Sequence, residues 1–201
     1  MEWKALEKKD FSLAQDYGAE GMNFRRYIEN PLALYFYKKY FFFKMRNEAT
    51  EEMALYEGEE LLGLLFLHRE GENQKFGSFG SEIFVSLMDW FQRTFFREEI
   101  GSYGRANEKM LESLKGRTTL YGEVLLLVAN PKKRRSGIGS ALLRELEKKY
   151  PGEFFYLFTD DGCDYPFYEK KGFSLEGKEQ IEMELEGKKV PVMCLMYGKE
   201  M

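Results

Sequence analysis

Residues 120–158 read as an apolar strand, a basic turn, an amphipathic helix and a second apolar strand, and few folds accept that order. The unbroken apolar run at 124–129 has the pattern of a central strand covered on both faces. Lys132-Lys133-Arg134-Arg135 follows at once, and then Ser136-Gly137-Ile138-Gly139 opens a stripe of Ile138, Ala141, Leu142 and Leu146 at helical spacing. Pro151-Gly152 ends this helix, and strand resumes at 154–158. A strand, a helix and a strand in succession make a right-handed parallel crossover. Its loop lies at the carboxyl end of the first strand, where ligands favour a sheet.

The rest of the chain arranges itself around this unit. A short strand is expected at 3–6, then a helix capped by Asp10, starting at Phe11 and ended by Gly18. Residues 24–46 hold seven aromatics from Tyr35 to Phe43, which suggests a buried helix, with a strand left open by periodicity alone, and rings that pack in the core or line an acceptor pocket. Segments 53–56 and 61–67 flank a turn at 57–60 as an antiparallel pair. Phe84, Leu87, Met88, Phe91 and Phe95 predict an amphipathic helix over 81–98, with a second, short one near 105–115. A small helix at 164–171 stopped by Gly172, and a hairpin of 181–185 with 190–192 around Glu186-Gly187-Lys188-Lys189, finish the chain.

Charge and composition exclude several classes of function. The net charge of −4 repels phosphate backbones and anionic lipid, so neither nucleic acid nor membrane is an expected partner. The longest apolar run is far below the roughly 20 residues of a membrane span, and residues 1–9 lack a secretory signal, so a cytoplasmic protein is expected. Cys163 and Cys194 are too few and too scattered for a disulfide framework or a zinc site, and no metal is expected.

The basic turn is the local exception to this acidic background. A helix's first turn offers unpaired amides and a favourable dipole to a diphosphate, and glycine lets backbone approach it. Gly137 and Gly139 suit that role, Ser136 could cap, and Arg134 and Arg135 add charge; a tight strand-to-helix turn explains the same glycines. Neither the P-loop pattern nor the dinucleotide fingerprint fits, since Leu142 occupies the third glycine position of the latter.

The segment Leu126-Leu127-Val128-Ala129-Asn130-Pro131-Lys132-Lys133-Arg134-Arg135-Ser136-Gly137-Ile138-Gly139 resembles the coenzyme motif of the GNAT acetyltransferases, with its Q/R-x-x-G-x-G/A signature at Arg134, Gly137 and Gly139. Phe167-Tyr168-Glu169-Lys170-Lys171-Gly172-Phe173 is similar to a second family segment. The resemblance covers roughly 120–175. It implies an α/β (α+β) acyl-CoA N-acyltransferase fold, a central mixed twisted sheet flanked by helices, with a helical insert between the third and fourth strands. One domain over 1–201 is then expected, comprising an N-terminal acceptor side at 1–52, a strand hairpin at 53–70, the insert at 71–119, an acetyl-CoA core at 120–175 and a C-terminal hairpin at 176–201. The insert is longer than the family's usual connection there, so acceptor contacts do not carry over to it.

The implied activity is acetyl transfer from acetyl-CoA to a primary amine, on a small molecule or peptide, by direct attack in a ternary complex. Backbone groups of Leu126 and Val128 would contact the pantetheine arm, and the Val128 N–H the thioester carbonyl. Amides from Arg135 through Ser136, Gly137, Ile138 and Gly139 to Ser140 would contact the pyrophosphate, with Arg134 alongside. Tyr168 matches the tyrosine that often protonates the departing thiolate; without the family it is a packed aromatic. Glu123, eleven residues before Arg134, resembles the general base of some members, or is a solvent-facing strand residue. Asp164 stands where relatives place a coenzyme-contacting polar side chain, or caps the following helix. His68, the lone histidine, reads as a solvated residue at a strand end. The competing reading is a non-catalytic acyl-CoA-binding sensor or interaction module; a homodimer is compatible with either.

Overall fold

The computed structural model describes residues 1–95, 97–133, 136–185 and 188–201, with side chains left aside at 93–100 and 184–188. Seven strands form one sheet: β1 (Glu2–Lys4), β2 (Glu51–Glu57), β3 (Glu60–Arg69), β4 (Gly122–Ala129), β5 (Phe154–Asp160), β6 (Ser174–Leu185) and β7 (Lys188–Glu200). Their order is β1-β2-β3-β4-β5-β7-β6, antiparallel throughout except between β4 and β5. The final hairpin is much longer than its alternating residues suggested, and β7 rather than β6 pairs with β5. The expected turn at Glu186 and Gly187 lies outside the described residues.

Among the described residues six α-helices accompany the sheet: α1 (Phe11–Gly21), α2 (Pro31–Glu48), α3 (Phe79–Phe95), α4 (Arg97–Lys115), α5 (Ile138–Lys149) and α6 (Pro166–Lys170). Helix α1 passes the expected stop at Gly18, whose carbonyl still accepts from Met22 N–H at 2.9 Å. An interior glycine costs only about 1 kcal/mol, and burial of Ala14 and Tyr17 on the same helix outweighs it. Asp10 precedes α1 without capping it; its carboxylate instead accepts from the Tyr56 hydroxyl at 2.9 Å. Helix α2 is capped as its sequence suggests, Asn30 Oδ1 accepting from the amides of Leu32 and Ala33 ahead of a first-turn proline. Helix α4 is long where a short helix was expected, because Gly101 and Gly104 obscure a stripe of Tyr103, Ala106, Met110 and Leu114 that packs against the sheet.

The two faces of the sheet are filled differently. Helix α5 lays Ile138, Leu142, Leu143 and Leu146 on one face, in a continuous core with Leu65, Leu67, Val124, Phe155, Leu157 and Tyr197. The opposite face carries two cores. Under α1 and α2 lie Ala14, Tyr17, Phe42, Phe66, Leu126 and Val128; under α4 lie Met110, Leu114, Tyr156, Cys194 and Met196. The insert spans both, since α3 packs on α2 through the Phe43–Phe84 rings at 6.3 Å and the Tyr40–Asp89 hydrogen bond. The line between these two cores runs along β4 and β5.

Candidate functional site

Strand β4 is irregular where it matters. Phe66 of β3 faces Leu126, but the next residue, Leu67, faces Val124, so Leu125 is an extra residue and a β-bulge. A bulge bends its strand and adds twist, and β4 indeed pairs with β5 only at Gly122–Phe155 and Glu123–Tyr156. Beyond that point the two parallel strands part, leaving a fork whose inner corner is Glu123 and Tyr156.

The bulge also decides which backbone groups face the fork. Asn130 N–H donates to Leu62 C=O at 2.7 Å, which makes that opposed pair a hydrogen-bonded one. Such pairs alternate along an antiparallel ladder, so Val128 (opposite Leu64) and Leu126 (opposite Phe66) turn their backbone groups to β3. A Cβ built on Gly63 of β3 would lie 2.8 Å from the Val128 carbonyl oxygen, in agreement. The groups open toward β5 are therefore those of Leu127 and Ala129. This corrects the expectation for Leu126, Val128 and the Val128 N–H by one residue, because the family motif fixes the segment but the bulge fixes the phase.

At the mouth of the fork, Gly137 is the N-cap of α5 with φ +82°, a conformation that favours glycine, and a Cβ there would meet open space. Gly139 has another reason to be glycine, since its Cβ would come within 3.0 Å of the Phe167 ring on α6. Ala141 N–H bonds back to Gly137 C=O at 2.9 Å, leaving the amides of Ile138, Gly139 and Ser140 as the first-turn donors. Ser136 is exposed and does not cap α5, because its amide is held by Lys133 C=O at 3.2 Å and Gly137 takes the cap position. Arg134 and Arg135 lie outside the described residues. Lys133 is occupied by Glu57 and Glu60 at 3.0 and 2.8 Å.

Glu123 keeps some exposure although protein surrounds it closely, and that desolvation pushes its carboxyl up to about 7. A hydrogen bond from the Tyr156 hydroxyl pulls the other way, while Glu48 and Glu70 add to the rise. Burial and the same carboxylate hold the Tyr156 phenol well above its ordinary value. His68 faces Glu123 across the β3–β4 ladder, half-buried inside β3 with Nδ1 3.1 Å from Glu48 C=O. It is not the solvated residue expected of a lone histidine at a strand end. An open surface hollow lined by Glu70, Lys115, Arg117, Thr118, Thr119 and Leu120 lies at the other end of β4 from Gly137.

Tyr168 of α6 borders the core under α5. Its ring packs on Phe167, Phe173 and Tyr197, and its hydroxyl has no hydrogen-bond partner among the described residues. Desolvation, then Cys163 and Asp164, keep the phenol raised and hence protonated. Asp164 is exposed and does not cap α6, whose N-cap is Tyr165. Cys163 is half-buried, with Sγ 3.6 Å from Asp160 Oδ1 and its thiol pushed up to about 11, chiefly by burial. Of the α2 aromatics, Tyr40 and Phe42 are core while Tyr35 and Phe36 are exposed. Among the described residues no three His, Cys, Asp or Glu side chains group as metal ligands, and no helix is long and apolar enough to cross a membrane.

No family model matches the sequence, and no curated protein sequence matches it. Solved structures do. A protein described as an acetyltransferase of the GNAT family from Desulfovibrio desulfuricans superposes with TM-score 0.54 at 13% identity, covering 99% of this chain and 98% of its own. The PaiA N-acetyltransferase of Thermoplasma acidophilum, solved with coenzyme A, gives 0.53 at 14%, covering 100% and 98%. The ribosomal-protein-alanine N-acetyltransferase of Brucella melitensis gives 0.52 at 12%, covering 100% of both chains. The chain has the mixed α/β fold of GNAT acetyltransferases.

Proposed function

We propose that a chain with this fold and a forked β4–β5 pair is an acetyl-CoA-dependent N-acetyltransferase of the GNAT superfamily that acts on primary amines. The observation that carries the reading is the fork itself, with free main-chain groups on one prong, a helix N-terminus at its mouth and a carboxyl of raised pKa at its corner. The residues fit the cosubstrate. Gly137 leaves open space ahead of α5, where the amides of Ile138, Gly139 and Ser140 and the helix dipole favour a diphosphate. Leu127 and Ala129 offer the arm the hydrogen bonds that a neighbouring strand would have made, and a gap-facing amide polarises the thioester carbonyl.

The chemistry needs a neutral amine and a protonated leaving group. Glu123, with a pKa of about 7, is partly carboxylate at neutral pH yet basic enough to accept a proton from the acceptor's ammonium, directly or through water, so that a neutral amine attacks. The nitrogen forms its bond to the acetyl carbon, the carbon–sulfur bond breaks, and the Tyr168 hydroxyl gives its proton to sulfur. Glu123 releases the ammonium's proton to solvent, and the second proton, lost by the nitrogen once it is bonded to carbon, returns through water to Tyr168. Calorimetry with acetyl-CoA, followed by CoA release across a panel of amines, tests this: binding with release supports the enzyme. Binding with no release for any amine leaves the sensor reading in its place.

A further inference from the structure

Between the two cores of the second face runs a seam of polar side chains on the line of the fork. Glu123 and Tyr156 lie at its inner end, and Asp160 at the end of β5, with Tyr27, Tyr37 and Tyr103 over it from the segment before α2, from α2 and from α4. Tyr37, Tyr103 and Glu123 are each half-buried and keep accessible surface. Tyr27 and Tyr103 pack on the core under α4, and Tyr37 and Tyr103 both feel the charge of Asp160.

Asp160 is only 5% exposed. Its Oδ1 accepts from the Tyr27 hydroxyl at 3.0 Å and Gly162 N–H at 2.7 Å, with Cys163 Sγ at 3.6 Å. Its Oδ2 has no hydrogen bond among the described residues. Arg26 bonds Asp161 at 2.9 Å and also feels the charge of Asp160, without a hydrogen bond to it. A largely buried carboxylate with one oxygen free of hydrogen bonds among the described residues, beside tyrosine rings, is the chemistry that binds an alkylammonium through charge and cation–π attraction.

Resting on the acetyltransferase reading, we infer that the acceptor is an aliphatic dication, one amine presented to Glu123 for acetylation while a second ammonium is held by Asp160 among Tyr27, Tyr37 and Tyr103. Tyr156 and Asp160 share a face of β5 four residues apart, about 13 Å at 3.3 Å per residue. A linker of several methylenes fits between the two carboxylates, and the apolar edges of the rings accommodate it.

The test compares α,ω-diaminoalkanes of increasing length with n-alkylamines of matching length, by kcat/KM for CoA release and by calorimetric binding to the full chain. The expected result is at least a tenfold preference for diamine, an optimum within the length series, and loss of that preference in Asp160→Asn with monoamine turnover unchanged. Asparagine keeps an oxygen for Tyr27 and Gly162, so the fold should persist; should it not, Tyr103→Leu is expected to raise the diamine KM at least fivefold with kcat unaltered. Equal kcat/KM for the two series, or a preference for a zwitterionic amino acid, overturns the inference. Diamine binding that Asp160→Asn abolishes, without acetylation, upholds the dication site and removes the enzymatic reading instead; neither binding nor acetylation of diamines removes the site.

Discussion

The face of the sheet under α5 and the face under α1, α2 and α4 are assembled from the same strands to opposite ends. The first is one apolar core, in which Leu142 and Leu146 belong to a single cluster with Leu65, Val124, Phe155 and Leu157, residues from both sides of the fork. The second is divided into two cores, one of which includes Tyr156, and Glu123 and Asp160 belong to neither. One face therefore clamps the strands together where they part, and the other leaves a charged corner reachable. Stability and chemistry should consequently separate by face, and substitutions can break or sharpen that division.

The largest effect belongs to the continuous face. Leu142 is fully buried, and Leu142→Ala removes apolar contacts across the fork and leaves a cavity, for about 3 kcal/mol of lost stability. Urea unfolding measures it. A loss below about 1 kcal/mol would mean that α5 is not what holds the parted strands.

On the other face the effect should fall on turnover. Glu123→Gln is expected to lower kcat by about 100-fold at pH 8, the scale of a lost general base, and to remove an acid limb centred near the carboxyl's pKa of about 7. Its stability should respond with the opposite pH sign. The native state holds this proton above the pH at which the unfolded chain releases it, so stability conferred by protonated Glu123 is present below about pH 4.3 and declines as pH rises through about 7. The glutamine variant should lose that decline. An unchanged pH profile of both turnover and unfolding would show that Glu123 does not titrate in this window.

Tyr168→Phe comes next, at about tenfold in kcat, below the range usual for a proton transfer, with coenzyme affinity nearly intact. The ring's packing on Phe173 and Tyr197 survives the change, so folding should be unaffected. Equal losses in turnover and coenzyme affinity would remove Tyr168 from the chemistry and make it a wall of the site.

How much of this the sequence discloses follows from how local each feature is. The strand, basic turn and helix at 122–149 are encoded by consecutive residues, and so is the fork's mouth at Gly137. The bulge at Leu125 leaves no mark on an unbroken apolar run, and that is why Leu126 and Val128 read as the gap-facing residues when Leu127 and Ala129 hold that place. The seam of polar side chains is less legible still. Tyr27 and Asp160 are 133 residues apart, and Tyr103 belongs to a helix whose stripe two glycines obscure. Only the packing of α2 and α4 on one sheet face brings them together, and no spacing in the chain announces it.

The smallest effects distinguish the two glycines at the mouth. Gly137→Ala forces a left-handed residue at an open position, at about 1 kcal/mol, and should cost stability without moving any neighbour. Gly139→Ala instead puts a methyl 3.0 Å from the Phe167 ring, which must yield by a few tenths of an ångström and carry α6 and Tyr168 with it. Its signature should be a kcat loss of about twofold to threefold, well under 1 kcal/mol, with little change in the unfolding midpoint. If both variants instead weakened acetyl-CoA binding equally and left stability and kcat alone, the two glycines would share one role, backbone approach to the ligand. The packing of Phe167 on Gly139 would then not be what sets the position of Tyr168.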